Sequence, residues 1–492
     1  MAQFKRREII RNAALLGAGS LLAPHRSLSA VGADYDVVII GAGMAGMTAA
    51  RLLSRAGPGL KVLILEARGR VGGRMYTAPN PDRELPSHGV ELGAQFIHGS
   101  KAATWELIRE FGLEARPLSA LGEPEYRFFS PGKPGNYAPD WDAVDALYER
   151  LFEAYESYQG PDISYQAFTQ AQGFTPEEQE ILASEPMSWT AEPRRISLQS
   201  ALVDGQAWET WKDEDFQVVG GYGKLVDKMA KELTGKIQPN SIVNEVFWRQ
   251  GIAGVSYKFR GSSAGLTTRR LVITVPIGVL QSGQILIQPT MPDWKLRAID
   301  SMEMGQVVVA HMLFGDQFRR EKLGGPGGWM TPGERIFFGI PHPPNQGGTA
   351  IQGWFAGSAA QRLSDLGPEA GMQQVLAWLQ EASGFTDLQQ KLKWHSFQDW
   401  IRDPYSLGSY SFTRPGGIGA QSQLARPVAG TLYFAGEATA PAPHHQTVHG
   451  AYMSGKRVAQ EVASSLNVGD TGILMEDSPV ITEEEEPIIN PL

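Results

Sequence analysis

The chain has no cysteine in 492 residues. That excludes disulfides and thiolate metal sites. It does not fix the compartment, because a protein exported already folded needs no disulfide. An excess of positive charge is also missing. Lys and Arg number 44 against 53 Asp and Glu, for a formal net charge of −9, and no basic stripe occurs. A nucleic-acid partner is therefore disfavoured, while the overall field mildly favours a cationic substrate. No apolar run is long enough for a membrane span. No internal repeat and no metal signature such as HExxH or CxxC is present. His444, His445 and His449 are close in sequence but have no acid or cysteine partner at ligand spacing. What is present is an ordinary apolar fraction of 42%, enough over this length for about two or three domains with large cores.

The most informative stretch is Tyr35–Met75. Val37–Ile40 is an apolar, β-branched run that reads as a buried parallel strand. The chain then turns at Gly41-Ala42-Gly43-Met44-Ala45-Gly46. A helix follows from Met44 to about Ala56, and a second apolar strand, Lys61–Leu65, ends at Glu66. Gly41 permits the tight turn, Gly43 lets backbone approach a pyrophosphate, and Gly46 lets the helix pack close to the strand. The helix N-terminus offers unpaired N–H groups and a positive dipole end to phosphates. Glu66 lies 20 residues past Gly46, where an acid accepts ribose hydroxyls. The stretch predicts an adenine dinucleotide site. An acid at the ribose disfavours a 2′-phosphate, which leaves FAD or NAD.

Ahead of this strand, Lys5-Arg6-Arg7-Glu8-Ile9-Ile10-Arg11 holds a twin-arginine pair, and Ala13–Ala23 is a short, moderately apolar core. Small residues follow up to Ala30, a plausible cleavage point. Residues 1–30 resemble a twin-arginine export signal. This implies the twin-arginine export machinery as a partner and a periplasmic or secreted location. At the other end, 467–492 is acidic with four consecutive Glu and little periodicity, which predicts a disordered tail.

Beyond Glu66, Ala67-Arg68-Gly69-Arg70-Val71-Gly72-Gly73-Arg74 places two glycines and an arginine just past the acid. The pattern suits backbone passing close to a cofactor, with Arg74 near its phosphates. Glu91-Leu92-Gly93-Ala94-Gln95-Phe96-Ile97-His98-Gly99 is another Gly-bracketed segment. In this order and spacing the motifs resemble the flavin-containing amine oxidases. That family includes monoamine, polyamine and spermine oxidases, L-amino-acid oxidases and histone lysine demethylases. The resemblance continues through Gly220-Gly221 before a helix at Leu225–Leu233, a strand at Ile242–Val246, and the crossing segment Thr274–Leu280. Phe247–Phe259 and Arg269–Thr274 read as strands of a small antiparallel sheet. Gln306–Phe314 is a further strand, and Gly408-Ser409-Tyr410-Ser411 lies beyond it. Ala435-Gly436-Glu437-Ala438-Thr439 ends a last buried strand, and Val448 opens the closing helix. The resemblance thus runs from about Tyr35 to Ala463.

The resemblance implies FAD, expected to be non-covalent; the missing cysteine excludes a cysteinyl link and leaves a histidyl or tyrosyl link open. It implies an α/β fold with a Rossmann-like FAD-binding domain, built from 34–100, 217–288 and 420–466. Interleaved with it is an α+β substrate domain, 101–216 and 289–419, with a mixed or antiparallel sheet flanked by helices. Matched motif by motif, the cofactor contacts are Gly41, Gly43, Ala45, Gly46, Glu66, Ala67, Arg68, Gly73, Arg74, Gly93, Ala94, Gln95, Phe96, Val243, Gly436, Glu437, Thr447 and Val448. The family moves a hydride equivalent from the carbon beside nitrogen to flavin N5. The protein holds the C–H, favours the neutral amine and excludes water, so paired carboxylates are not needed.

Four positions carry the substrate question. Tyr410 resembles the aromatic that forms one wall of a cage for the amine. Thr447 stands where the family often has the second aromatic, so the cage is expected to be half-built, with a wider or more polar side. His98 matches the histidine of the polyamine and spermine oxidase form of its motif. No arginine lies in Gln95–Ser100 to take a substrate carboxylate. Val309 falls where most family oxidases carry a lysine that assists oxygen, and no lysine occurs in Gln306–Arg320. His311, on the same strand face, is a candidate stand-in. The resulting expectation is an FAD-dependent oxidase or dehydrogenase of a primary or secondary amine, using oxygen or a redox acceptor protein. The alternatives are a dehydrogenase or desaturase of a non-amine, or a flavin-binding protein with little turnover.

Overall fold

A computed structural model of the chain describes residues 32–78, 90–121, 124–183, 190–314, 327–333, 335–339 and 349–468. The expected export signal and nearly all of the expected tail lie outside the described residues. Among those described, no helix is long and apolar enough to cross a membrane.

The α/β fold expected from the motifs is present as two large sheets with flanking helices. Tyr35–Ile40 is central in an eight-stranded sheet, parallel to Val62–Leu65 on one side and to Ser262–Ile273 on the other. Both of its faces are covered, so Val37, Val38 and Ile39 have no exposure; a β-branched run is what such a position requires. The helix Met44–Ala56 and the closing helix Val448–Ser465 pack side by side over this sheet. Their approach is close enough that a Cβ on Gly455 would lie 2.6 Å from the Ala45 carbonyl oxygen.

The expectation of a separate antiparallel sheet is corrected here. Ser241–Arg249, Ile252–Phe259 and the first half of Ser262–Ile273 are antiparallel. Yet the second half of Ser262–Ile273 continues in parallel pairing with Tyr35–Ile40 and Leu432–Phe434. One 12-residue strand belongs to both patterns, so the antiparallel strands extend the dinucleotide sheet instead of forming their own.

The seven-stranded sheet runs in the order Leu392–Asp399, Val307–Phe314, Thr349–Ala356, Ile336–Gly339, Gly327–Met330, Glu125–Phe129 and Asn136–Tyr137. Side chains alternate between its faces. Phe314, Phe338 and Phe355 are fully buried in the core shared with the helix Gly357–Ser383. Val307, Val309, Trp354 and Phe337 occupy the opposite face by register. Gly305, which precedes Val307–Phe314, is tied to the Tyr410 segment: its N–H donates to the Tyr410 carbonyl at 2.7 Å, and its carbonyl accepts from the Ser409 N–H at 2.9 Å.

Candidate active site

A cleft with about 1330 Å³ of empty space runs from the end of Tyr35–Ile40 to the seven-stranded sheet. At its dinucleotide end the three glycines do different work. Gly41 has φ +106, and a Cβ there would lie 2.7 Å from Thr274 Oγ1. Gly46 touches the turn beneath it: its Cβ would lie 2.0 Å from the Gly41 carbonyl oxygen. A Cβ on Gly43 would meet nothing within 4 Å, because that direction is the open cleft. Gly43 is also the helix N-cap without any side-chain cap, so the first N–H groups of the helix are left for a ligand. The second Gly-rich turn joins on directly, with the Gly72 N–H donating to the Ala42 carbonyl at 2.8 Å.

Glu66 is buried at the end of its strand. One carboxylate oxygen accepts from the Ala42 N–H and the other from the Arg68 N–H, each at 2.8 Å. The carboxylate thereby holds the two cofactor-side turns together and retains lone pairs for a ribose. Arg68 is ion-paired to Asp403 and donates to Ser406 Oγ at 3.1 Å. Arg74 is paired with the Glu437 carboxylate at 2.9 Å and donates to the Ser409 carbonyl. The other Glu437 oxygen accepts from Ser411 Oγ at 2.7 Å and from the Gln446 N–H at 3.2 Å. Glu437 thus fixes Arg74 and the approach to the closing helix.

At the far end Tyr410, Val309, Val307, Trp400 and Thr447 meet in the cleft. Burial raises the Tyr410 phenol above its ordinary range, and Trp354 hydrogen-bonds it, so the ring stays neutral and fixed. Thr447 caps the closing helix: its Oγ1 accepts from the Gly450 N–H at 2.9 Å and donates to the His444 carbonyl at 2.6 Å. The polarity expected of that side is thus engaged within the cap.

Of the residues expected from the motifs, Gly41, Gly43, Ala45, Glu66, Ala67, Arg68, Gly73, Arg74, Gly93, Ala94, Val243, Val309, Tyr410, Gly436, Glu437, Thr447 and Val448 line the cleft. Gly46, Gln95, Phe96 and His98 lie off its lining. Gly46 sits under the turn. The Phe96 carbonyl accepts from the Tyr222 hydroxyl at 2.9 Å. His98 Nδ1 is 2.7 Å from Asp215 Oδ1, and its ring meets Trp208 edge-on at 4.9 Å. Burial alone would raise the Asp215 carboxyl, but the His98 hydrogen bond and the Lys212 charge hold it below the usual range. His311 is also off the cleft. It is buried, bonded to the Glu91 carbonyl at 2.7 Å, and pushed down to about 4 by burial. His449 is pushed down to about 2 by burial and by the nearby His98 and His444. Among the described residues no three His, Asp or Glu side chains converge as metal ligands.

Sequence reasoning missed Trp400, whose indole N–H donates to the Leu92 carbonyl at 2.7 Å and whose ring lies beside Gly93. It also missed Tyr405, Ser406, Gln446, Val279, Gln284 and Ile285. Thr274 carried a signal, since it ends a strand opposite Gly41; Trp400 carried none, because only tertiary pairing brings it beside Gly93.

A family model described as flavin containing amine oxidoreductase matches residues 44–463. The chain belongs to this family. FAD is its cofactor, and the cradle of Gly43, Glu66 and the open helix N-terminus fits that group. Among curated proteins, lysine-specific histone demethylase 1 homolog 2 of Arabidopsis thaliana is 29% identical, over 92% of this chain and 61% of the relative. Polyamine oxidase 4 of Oryza sativa subsp. japonica is 27% identical, over 87% of this chain and 88% of the relative. The chain spans 61% and 54% of the lengths of the first Arabidopsis and the human demethylase relatives. Among solved structures, wild-type putrescine oxidase bound to putrescine superposes with a TM-score of 0.70 at 22% identity, over 87% of this chain and 99% of that one. Cyclohexylamine oxidase from Brevibacterium oxydans IH-35A gives 0.71 at 20%, over 88% and 99%. These likenesses establish the fold. The matched family is that of the flavin-containing amine oxidoreductases.

Proposed function

We propose that the chain oxidises the C–N bond of a primary or secondary amine to an imine, which water then hydrolyses. The observation that supports this reading is the continuity of one cleft from Glu66 to the Val309, Tyr410 and Thr447 end. FAD held non-covalently along that cleft would supply the two-electron acceptor for the amine C–H. Glu66, the Gly43 turn and Arg74 would hold its nucleotide and phosphate parts. Tyr410, neutral and fixed by Trp354, offers a π face to an amine. Val307, Val309 and Trp400 surround the same end with apolar surface. Such surroundings disfavour an ammonium and so favour the neutral amine, the form able to give up its C–H electrons. The twin-arginine pair ahead of residue 30 supports export of the folded, loaded protein to the periplasm or outside.

Val309 favours a second electron acceptor besides oxygen, because a valine offers neither charge nor a hydrogen bond. Anaerobic mixing with a panel of amines tests the main reading. Bleaching of the oxidised flavin absorbance by an amine is expected. Bleaching by an alcohol or an unsaturated compound, and by no amine, would turn the assignment to a non-amine dehydrogenase.

A further inference from the structure

We infer that Arg68 shapes the cofactor cleft through Asp403 and does not itself hold the cofactor. It is a positioning residue: its guanidinium anchors the tip of the loop between Trp400 and Tyr410, so that Tyr405 and Ser406 stand as a wall of the cleft. The inference needs only a bound FAD and goes beyond the amine reading above.

The loop stands on two fixed feet. At one, the Trp400 N–H donates to the Val307 carbonyl at 3.2 Å. At the other, the Ser409 N–H donates to the Gly305 carbonyl at 2.9 Å, and the Gly408 N–H closes the loop onto the Trp400 carbonyl at 2.8 Å. The tip is a turn set by its own sequence. Asp403 Oδ1 accepts from the Tyr405 N–H at 2.9 Å, and the Asp403 carbonyl accepts from the Ser406 N–H at 3.1 Å. Asp at the first position and Pro404 at the second are residues that such a turn favours. The return from the tip is not relaxed. Leu407 has φ +52, a left-handed backbone that a branched apolar side chain resists.

Arg68 ties this tip to the dinucleotide end. Its backbone is a fixed post: the N–H donates to the Glu66 carboxylate at 2.8 Å, and the carbonyl accepts from the Asn240 N–H at 2.9 Å. From this post Nη2 donates to the Asp403 carboxylate, and to Ser406 Oγ at 3.1 Å. The guanidinium carbon lies 5.3 Å from the centre of the Tyr405 ring. One side chain thus grips Asp403, Tyr405 and Ser406 together. Tyr405 and Ser406 line the same cleft as Glu66. The Arg68 and Asp403 side chains are only 13% and 14% exposed, so the pair is partly desolvated and its charges neutralise each other within the chain. A phosphate gains less from a cation already engaged in this way.

The test compares Arg68→Ala, Asp403→Ala and the double variant. FAD affinity is read from the free-flavin fluorescence released as holoenzyme is diluted. Each single variant should weaken FAD binding about fivefold to thirtyfold, the cost of re-ordering roughly one residue of released loop. The double variant should match either single within about twofold, because all three remove one tether. A guanidinium that held the cofactor directly would behave otherwise: Asp403→Ala would free it, and FAD would bind as tightly as in the parent or more so. Hydrogen exchange of the holoenzyme at saturating FAD is the second readout, which loss of a cofactor contact alone would not move. The Tyr405, Ser406 and Leu407 amides should exchange about tenfold faster or more in Arg68→Ala, while those of Val62–Leu65 keep the parent rate. Parent-like FAD affinity in Asp403→Ala, losses that add in the double variant, or unchanged exchange at the tip overturns the inference. Asp403→Asn keeps the turn's acceptor and removes the charge, so it carries the same comparison if Asp403→Ala fails to fold; Arg68→Gln does so for Arg68→Ala.

Discussion

Gly43 and Gly46 lie three residues apart in one motif, and alanine at each should fail for opposite reasons. At Gly46 an added Cβ would be 2.0 Å from the Gly41 carbonyl oxygen and 3.2 Å from Thr274 Oγ1. The nearer atom is backbone in a buried turn, so the helix must move off the strand. Overpacking of this kind costs about 3 kcal/mol, against about 1 kcal/mol gained from alanine's helix propensity. Gly46→Ala should therefore lose about 2 kcal/mol of stability even without cofactor. At Gly43 the backbone has φ −80 and ψ −176, open to any residue, and nothing lies within 4 Å of the new Cβ. Loss of the preferred glycine at the N-cap and the gain from a less flexible unfolded chain nearly cancel, each being about 0.5–1 kcal/mol. The new methyl instead occupies the space where the cofactor's phosphates would approach, at a cost of about 1–3 kcal/mol in binding, or roughly 5-fold to 150-fold in FAD affinity. Denaturant unfolding of the apoprotein and FAD titration by fluorescence quenching separate the two effects. A Gly43→Ala protein with unchanged FAD affinity, or a Gly46→Ala apoprotein as stable as the parent, would refute the division of labour between these glycines.

Glu91 is buried, and burial raises its carboxyl to about 7. A carboxyl raised in the folded state binds its proton more tightly than in the unfolded chain. Stability should therefore fall as pH rises from about 4.5 to 7, by about 3 kcal/mol from this group; Glu91→Gln should remove that slope in pH-resolved unfolding. Thr447→Val should cost about 1 kcal/mol through the lost N-cap, with Thr447→Ser close to the parent by thermal melting. Glu437→Gln leaves Arg74 without its carboxylate in a largely buried site and should cost about 3 kcal/mol or more, seen as a lower melting temperature and weaker FAD retention. Val309→Lys should speed oxidation of the reduced flavin by oxygen about tenfold, read by stopped flow. An unchanged rate in a variant that still holds FAD and is reduced by amine would show that position 309 does not govern the acceptor.

The dinucleotide end of the site was legible because its logic is local. Gly41, Gly43, Gly46 and Glu66 act through spacings within one strand, turn and helix, and those spacings are written in consecutive residues. Val309 and Tyr410 were legible by motif, although only the fold brings them to one cleft. Trp400, Trp354 and Phe337 were not, because their placement depends on which strands pair and in what register. His98 shows the converse difficulty. Its motif was clear, yet its side chain is turned to Asp215 and away from the cleft lining. The antiparallel strands were recognised, but nothing in their own residues announces that Ser262–Ile273 bends its pairing from one sheet pattern into the other.

That shared strand also sets when the protein can be completed on the ribosome. Tyr35 is registered with Thr268, and the helix that packs on Met44–Ala56 begins at Val448. Synthesis proceeds at about 5–20 residues per second, so the first strand waits roughly 20–80 s between emerging and meeting its last covering element. For about the first 12–47 s of that interval, until Thr268 is made, its apolar edge has no native neighbour on the Ser262–Ile273 side. Cofactor loading is accordingly an event of the finished polypeptide, and the supply of chaperones during this delay, more than the final stability, should limit how much active protein a cell obtains.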